Sequence, residues 1–242
     1  MNIAVILAGG VGNRVGAGIP KQFIEVLGKP VICYTIEKFQ THPEVDFIEV
    51  VCVEEYIDTL KDLVKNYKYD KVKYVVKGGE DFQHSVINGV YALDGKVNDE
   101  DILLVHWAAS PFISHEEISD AICVCKEKGN CIASYPAYLL YGLKHNDGQS
   151  TVEGLDRDTF MIMNAPQCFK FGYVKQMYDE AIENAYLEQV EPHTTTLMYK
   201  MKREIFFSKG NQNSIKITTK EDLDMFTGYI LQEKLKNGDI KL

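Results

Sequence analysis

Arginine is scarce in this chain: among 242 residues only Arg14, Arg157 and Arg203 carry a guanidinium. Acidic residues outnumber basic ones by 35 to 26, for a formal net charge of −9. That balance argues against a broad nucleic-acid or acidic-membrane surface, so any bound anion must be held by a local cluster of positive charge. No apolar run approaches the roughly 18 residues of a membrane-spanning helix. The apolar start gives way to polar residues by Asn13, which is too early for a secretory signal, and a cytoplasmic protein is expected. None of the six cysteines (33, 52, 123, 125, 131 and 168) forms C-x-x-C. Most lie inside apolar patterns, which reads as reduced core thiols and argues against a zinc site. Tryptophan occurs once, at position 107. With 45% hydrophobic and 25% charged residues, the composition is that of one large globular domain.

The first 23 residues are the most informative. Ile3-Ala4-Val5-Ile6-Leu7-Ala8 is an apolar run that empties into Gly9-Gly10-Val11-Gly12-Asn13-Arg14, followed by Pro20-Lys21-Gln22-Phe23. A buried parallel strand feeding a glycine-rich, phosphate-binding loop has this form. Glycines let backbone N–H groups approach an anion, and Arg14 and Lys21 add charge where it would sit. The segment is neither a Walker A loop nor a full dinucleotide fingerprint, since the third glycine of the latter is missing. Two of the three arginines fall in segments read here as functional.

Strand and helix patterns then alternate. Strands are predicted at residues 2–8, 47–53, 72–76, 101–106 and 131–134, and helices at 31–40, 54–68, 85–93 and, behind a capping box at Ser114-His115-Glu116-Glu117, to about 128. This rhythm predicts an α/β fold with a doubly wound, mostly parallel sheet, whose ligands lie beyond the C-terminal strand ends. The loops 9–21, 78–85 and 107–111 converge there. From Pro136 the rhythm changes. A protruding β-hairpin arm is predicted at about 138–157, around the turn Asn146-Asp147-Gly148, and its apolar flanks point to a second copy of the chain. A helix at 172–186, a strand at 203–208, and a helix from Thr219 to about 235 complete the reading, with Lys216 expected within an apolar strand.

Taken together, several segments resemble the methylerythritol-phosphate and ribitol-5-phosphate cytidylyltransferases. They are L-A-G-G-V-G-N-R, I-P-K-Q-F at 19–23, G-G-E-D-F-Q-H-S-V at 78–86, V-H-W-A-A-S-P-F at 105–112, D-R-D-T-F at 156–160, A-P-Q-C-F at 165–169 and I-K-I-T-T-K-E-D-L at 215–223. L-A-G-G, K-P-V-I and T-I-E-K-F tilt the resemblance toward the ribitol-phosphate branch. It implies one nucleotidyltransferase domain over residues 1–242, joining CTP to a phosphorylated polyol with release of pyrophosphate. It further implies Mg2+ held mainly through the triphosphate, a homodimer, and a place in cell-surface polymer or isoprenoid synthesis.

By the same resemblance Arg14, Lys21 and Lys216 are catalytic. Leu7, Ala8, Gly9, Gly10, Gly12, Gly79, Ser85 and Ala108 hold the nucleotide, and Arg157, Ser110, Tyr141 and Thr194 meet the acceptor. No protein ligand to the metal is singled out.

The chain departs from the family on the acceptor side. Where D-A-A-R-P or D-A-V-R-P is usual, it has Trp107-Ala108-Ala109-Ser110-Pro111. An acidic-threonine pair is Leu140-Tyr141, the threonine of T-P-Q is Ala165, and a T-D-E-like segment reads His193-Thr194-Thr195-Thr196. An indole offers one N–H and no anionic oxygen. An altered acceptor is therefore expected, with ribitol 5-phosphate and methylerythritol phosphate turned over poorly. Two other classes stay open: a dinucleotide oxidoreductase using Glu25 or Glu37 for a ribose, and a nucleotide-binding protein without activity.

Overall fold

Residues 3–8 are buried on both sides of the strand they form, which requires a central position in a sheet covered on both faces. In the structure, a computed structural model describing residues 1–10 and 18–240, β1 (Asn2–Ala8) pairs in parallel with β2 (Phe47–Cys52) on one side. β3 (Val72–Lys77) continues outward from β2, and β4 (Ile102–Trp107) lies parallel on the other side of β1. Next to β4 runs β6 (Met161–Lys170), antiparallel both to it and to β5 (Asn130–Pro136). The edge strand β7 (Phe207–Lys209) is parallel to β5, and the order is β7-β5-β6-β4-β1-β2-β3. The mostly parallel doubly wound sheet is thus present, with one antiparallel strand.

Strand alternation sorts the helices into two layers. Ala4, Ile6 and Ala8 face α1 (Val31–Gln40), α2 (Ile57–Tyr67) and α4 (His115–Lys128). Ile3, Val5 and Leu7 face α3 (Phe82–Ala92), α5 (Phe171–Glu183) and α6 (Thr194–Lys200). A smaller cluster joins Phe226 of α7 (Lys220–Lys236) to Val26, Val31, Ala109 and Ile217. Both expected capping boxes form, Ser114 with Glu117 and Thr219 with Asp222. The left-handed Gly129 (φ +88°) closes α4.

Other expectations need correction. β6 and α6 were not predicted. In β6, Asn164-Ala165-Pro166 interrupts the apolar pattern and the pairing register shifts between Met163 and Gln167, as proline in a ladder requires. α3 starts at Phe82, capped by Asp81, rather than at Ser85. The late strand is shorter than 203–208. Lys216 lies in an irregular segment, not a strand. The hairpin arm is present as two-residue strands, Tyr141–Gly142 and Gly154–Leu155, and it leaves Leu139 (70%) and Leu140 (87%) exposed.

Glu49 is an acid inside the core. It is fully buried on β2, against Gly89 of α3, and neither carboxylate oxygen has a hydrogen-bond partner among the described residues. Burial, only partly opposed by the charge of Lys96, raises its pKa from 4.5 to about 8. The folded state therefore binds this proton more tightly than the unfolded state. The neutral acid carries no charge penalty at low pH, and stability declines as pH rises from about 4.5 to about 8. Glu49→Gln should flatten this decline, by on the order of 3–5 kcal/mol between the two limits in urea unfolding. Equal pH slopes in wild type and variant would contradict the assignment.

Candidate active site

β1 is flanked by β2 on one side and β4 on the other, so the winding direction of the chain reverses at β1/β4 and the loops above it diverge. A cavity of about 720 Å³ opens there, lined by the C-terminal ends and following loops of β1, β2, β3 and β4, a size suited to a small ligand.

The first wall is the glycine loop. Gln22 is buried, and its side-chain amide donates to the carbonyls of Ala8 (2.8 Å) and Gly10 (2.9 Å), bridging the end of β1 to the loop. The 3-10 turn Lys21–Phe23 carries it, anchored by Phe23 stacked on Tyr56 with ring centroids 4.6 Å apart. Lys21, only 9% exposed, lines the cavity from the same turn.

The second wall is the loop between β3 and α3. Gly78 N–H donates to the Cys52 carbonyl (2.8 Å), and Gly79 N–H donates to Ser85 Oγ (3.1 Å). Ser85 in turn donates to the Asp81 carbonyl (2.8 Å). A Cβ on Gly9 would sit 2.7 Å from Ser85 Oγ, and one on Gly79 would sit 2.9 Å from the His84 carbonyl oxygen. Without a side chain, Gly9 lets the first loop abut the second, and Gly79 lets its own loop close onto the start of α3. α3 begins beside the cavity, its first turn capped by the Asp81 carboxylate. Burial would raise the Asp81 carboxyl, but hydrogen bonds from the His84 backbone and ring outweigh it and hold the pKa low.

The third wall is the 107–110 turn. Ser110 N–H donates to the Trp107 carbonyl (3.0 Å), and Ala108 N–H to Leu7 O (2.9 Å). Thr35 Oγ1 donates to Ala108 O (2.8 Å). His106 Nε2–H donates to the Ser110 carbonyl (2.9 Å), and complete burial pushes that imidazole down to about 4, so it is neutral. Ala109 O accepts from Ile217 N–H (2.8 Å), which brings the segment before α7 onto the turn and Lys216 into the cavity.

Leu7, Gly9, Gly10, Lys21, Gly79, Ser85 and Lys216 are therefore brought together as expected. Ala8 and Ala108 are buried just beneath the lining and contribute only backbone hydrogen bonds. Gly12 and Arg14 lie outside the described residues. The residues expected at the acceptor are not brought together within this chain. Ser110 is buried in its turn, and Thr194 is fully buried with its hydroxyl 2.9 Å from the Tyr178 hydroxyl. Tyr141 and Arg157 sit on the arm, where the Arg157 guanidinium donates to the Tyr138 carbonyl (3.2 Å). Sequence reasoning overlooked Gln22, whose signal was its place in P-K-Q-F. It also overlooked Lys77, the last residue of β3, and Glu54 and Asp81, which follow strand ends. Lys77 pairs with Glu54 at 2.5 Å on the rim. Glu80, Asp81 and His84 present ligand atoms within 4.8 Å of one another. Their carboxylates suit a hard cation such as Mg2+, the imidazole less so.

Residues 2–233 match the family described as IspD, 2-C-methyl-D-erythritol 4-phosphate cytidylyltransferase. The chain belongs to this cytidylyltransferase family. A ribitol-5-phosphate cytidylyltransferase of Lacticaseibacillus paracasei is 35% identical over 235 residues, covering 97% of this chain and 100% of that protein. One of Streptococcus agalactiae is 38% identical over 227 residues, 93% and 94% of the two chains. The crystal structure of 4-diphosphocytidyl-2C-methyl-D-erythritol synthase from Anaerococcus prevotii superposes with a TM-score of 0.78 at 26% identity, over 96% of each chain. The cytidylyltransferase fold accounts for the crevice and its loops, and membership sets aside the oxidoreductase alternative.

Gly79→Ala tests the second wall. It should weaken CTP binding at least about tenfold in calorimetry, because a Cβ there would run into His84 and push the loop off the start of α3. Unchanged affinity would remove Gly79 from the site.

Proposed function

We propose that this chain transfers the cytidylyl group of CTP to a polyol phosphate of the ribitol 5-phosphate kind, releasing pyrophosphate. The observation that carries this reading is the meeting of Lys21, Lys216 and two abutting glycine loops in one crevice. The names of the two bacterial relatives support the acceptor. The positions that depart from the family bear on it too. Ser110 is buried, and Leu140 and Tyr141 lie on the arm, so among these departures Trp107 alone alters the cavity wall.

The acceptor phosphate is its own nucleophile. Its second pKa is about 6, so it is largely dianionic at neutral pH and needs no general base. An oxygen of that phosphate attacks the α-phosphorus, the bond from the α-phosphorus to the bridging oxygen breaks, and pyrophosphate leaves. What the protein supplies is alignment and countercharge. Lys21 and the glycine N–H groups hold the triphosphate, and Lys216 neutralises charge at the α-phosphate. Mg2+, when bound, screens the triphosphate oxygens. It would be held chiefly by those oxygens, with Glu80 and Asp81 as the nearby acids. The arm carries Arg157 into the site of a second copy, making the working unit a homodimer, and CTP as substrate implies a cytoplasmic setting.

Pyrophosphate release with CTP and a panel of phosphorylated polyols and sugars tests the reading. Turnover of ribitol 5-phosphate ahead of methylerythritol phosphate is expected. A preference for another acceptor would bear out the altered-acceptor expectation instead, and CTP binding without release would mark an inactive homologue. Arg14→Ala and Lys21→Ala should each lower turnover at least about a hundredfold, as for other lost transition-state donors. Near-wild-type rates would refute the loop assignment. Light scattering should give a dimer, and Leu139→Asp with Leu140→Asp a monomer slowed at least about tenfold. A monomeric but fully active wild type would contradict the shared site.

A further inference from the structure

Trp107 ends β4, in register with Leu7 of β1. It continues the alternation Leu103, Val105, Trp107, so its ring packs on the same hydrophobic cluster as Phe82 and the α5 helix. The indole is thus fixed by the sheet beneath it. Lys216 reaches the cavity from the other side, and its Nζ lies 4.6 Å from the centre of the Trp107 ring. The lysine backbone is fixed as well. Ile217 N–H is bonded to Ala109 O, the Lys216 carbonyl accepts from Thr218 Oγ1 (3.0 Å), and Ser214 Oγ donates to the buried carboxylate of Glu117 (2.9 Å). Both partners of the indole–ammonium contact are therefore anchored to one turn, residues 107–110.

We propose that Trp107 is a positioning residue: its π-face holds the Lys216 ammonium over the phosphate cradle. The inference rests on the cytidylyl-transfer reading for its catalytic consequence. The contact itself stands on the geometry. A lysine side chain has four rotatable bonds, and a ring face against its ammonium narrows the positions it samples. The cavity also holds Glu54, Glu55, Glu80 and Asp81, each able to draw a cation away from the α-phosphate. An indole face attracts a cation through its quadrupole. It has no lone pair with which to compete for the ammonium protons against phosphate oxygens, and no charge with which to cancel the lysine's field. A carboxylate at this point would do both. Trp107 thus orients Lys216 for the charge that develops at the α-phosphorus.

Two readouts test this. Trp107 is the only tryptophan in the chain, so intrinsic emission reports on it alone. Lys216→Met should change that emission in the enzyme without nucleotide, and an unchanged spectrum would overturn the contact. In steady-state pyrophosphate release, Trp107→Leu should lower kcat about tenfold with the KM for CTP within about threefold, while Trp107→Phe, which keeps a π-face, should recover most of the loss. In a Lys216→Met background, Trp107→Leu should cost less than about twofold more, because the two residues act as one unit. Additive losses, or a Phe variant as impaired as the Leu variant, would overturn the positioning role. If the wild type neither binds CTP nor releases pyrophosphate, the cytidylyl-transfer reading fails, whereas the emission of the Lys216→Met enzyme still decides the contact.

Discussion

The structure depends on one feature of its sheet: β1 has parallel neighbours on both sides, and the chain winds away from it in opposite directions. Leu7 is in register with Val51 of β2 and with Trp107 of β4. These three strand ends, together with that of β3 beside β2, therefore point their loops into one crevice. Hydrogen bonds then draw the loops inward, from Gln22 to the end of β1, from Gly79 of the loop above β3 to Ser85, and from Ile217 to the turn after β4. Each of these uses a side chain or backbone group that is itself buried, so the cradle is preorganised rather than assembled by its ligand.

The two halves of the reaction are built differently. On the proposed reading, the nucleotide half is the crevice lined by Gly9, Gly10, Gly79, Lys21 and Lys216. The four residues expected at the acceptor do not meet within this chain: Ser110 and Thr194 are buried, and Arg157 and Tyr141 belong to an arm whose leucines are exposed. This division lets one scaffold keep the triphosphate chemistry while acceptor contacts vary, a common arrangement for enzymes whose specificity resides in loops.

Much of this was legible in the residues. The alternation of apolar strands and amphipathic helices through residue 136 exposed the parallel sheet, and S-H-E-E and T-K-E-D marked two helix starts. The glycines of 9–10 and 78–79, with Lys21 and Lys216, marked the nucleotide half. β6 was hidden because Pro166 breaks the apolar run where the ladder itself shifts register. α6 was hidden because T-T-T-L-M-Y-K is short and begins with β-branched residues, its stability coming from Leu197 and Met198 buried against the core. Ser110 and Thr194 were assigned to the acceptor by motif position alone, yet both side chains point inward. Burial of this kind is decided by tertiary packing, which no local pattern encodes. The role of Trp107 was equally hidden, since its partner Lys216 lies more than a hundred residues further along the chain.

The central claim is that the cradle formed by Gly9, Gly10, Lys21 and Lys216 grips the triphosphate of CTP. A crystal structure with CTP and magnesium tests it most directly. The account requires the β- and γ-phosphates against the glycine loop, the α-phosphate beside Lys216, and the cytosine toward Gly79 and Ser85. A nucleotide bound elsewhere, with this crevice left to solvent, would contradict it.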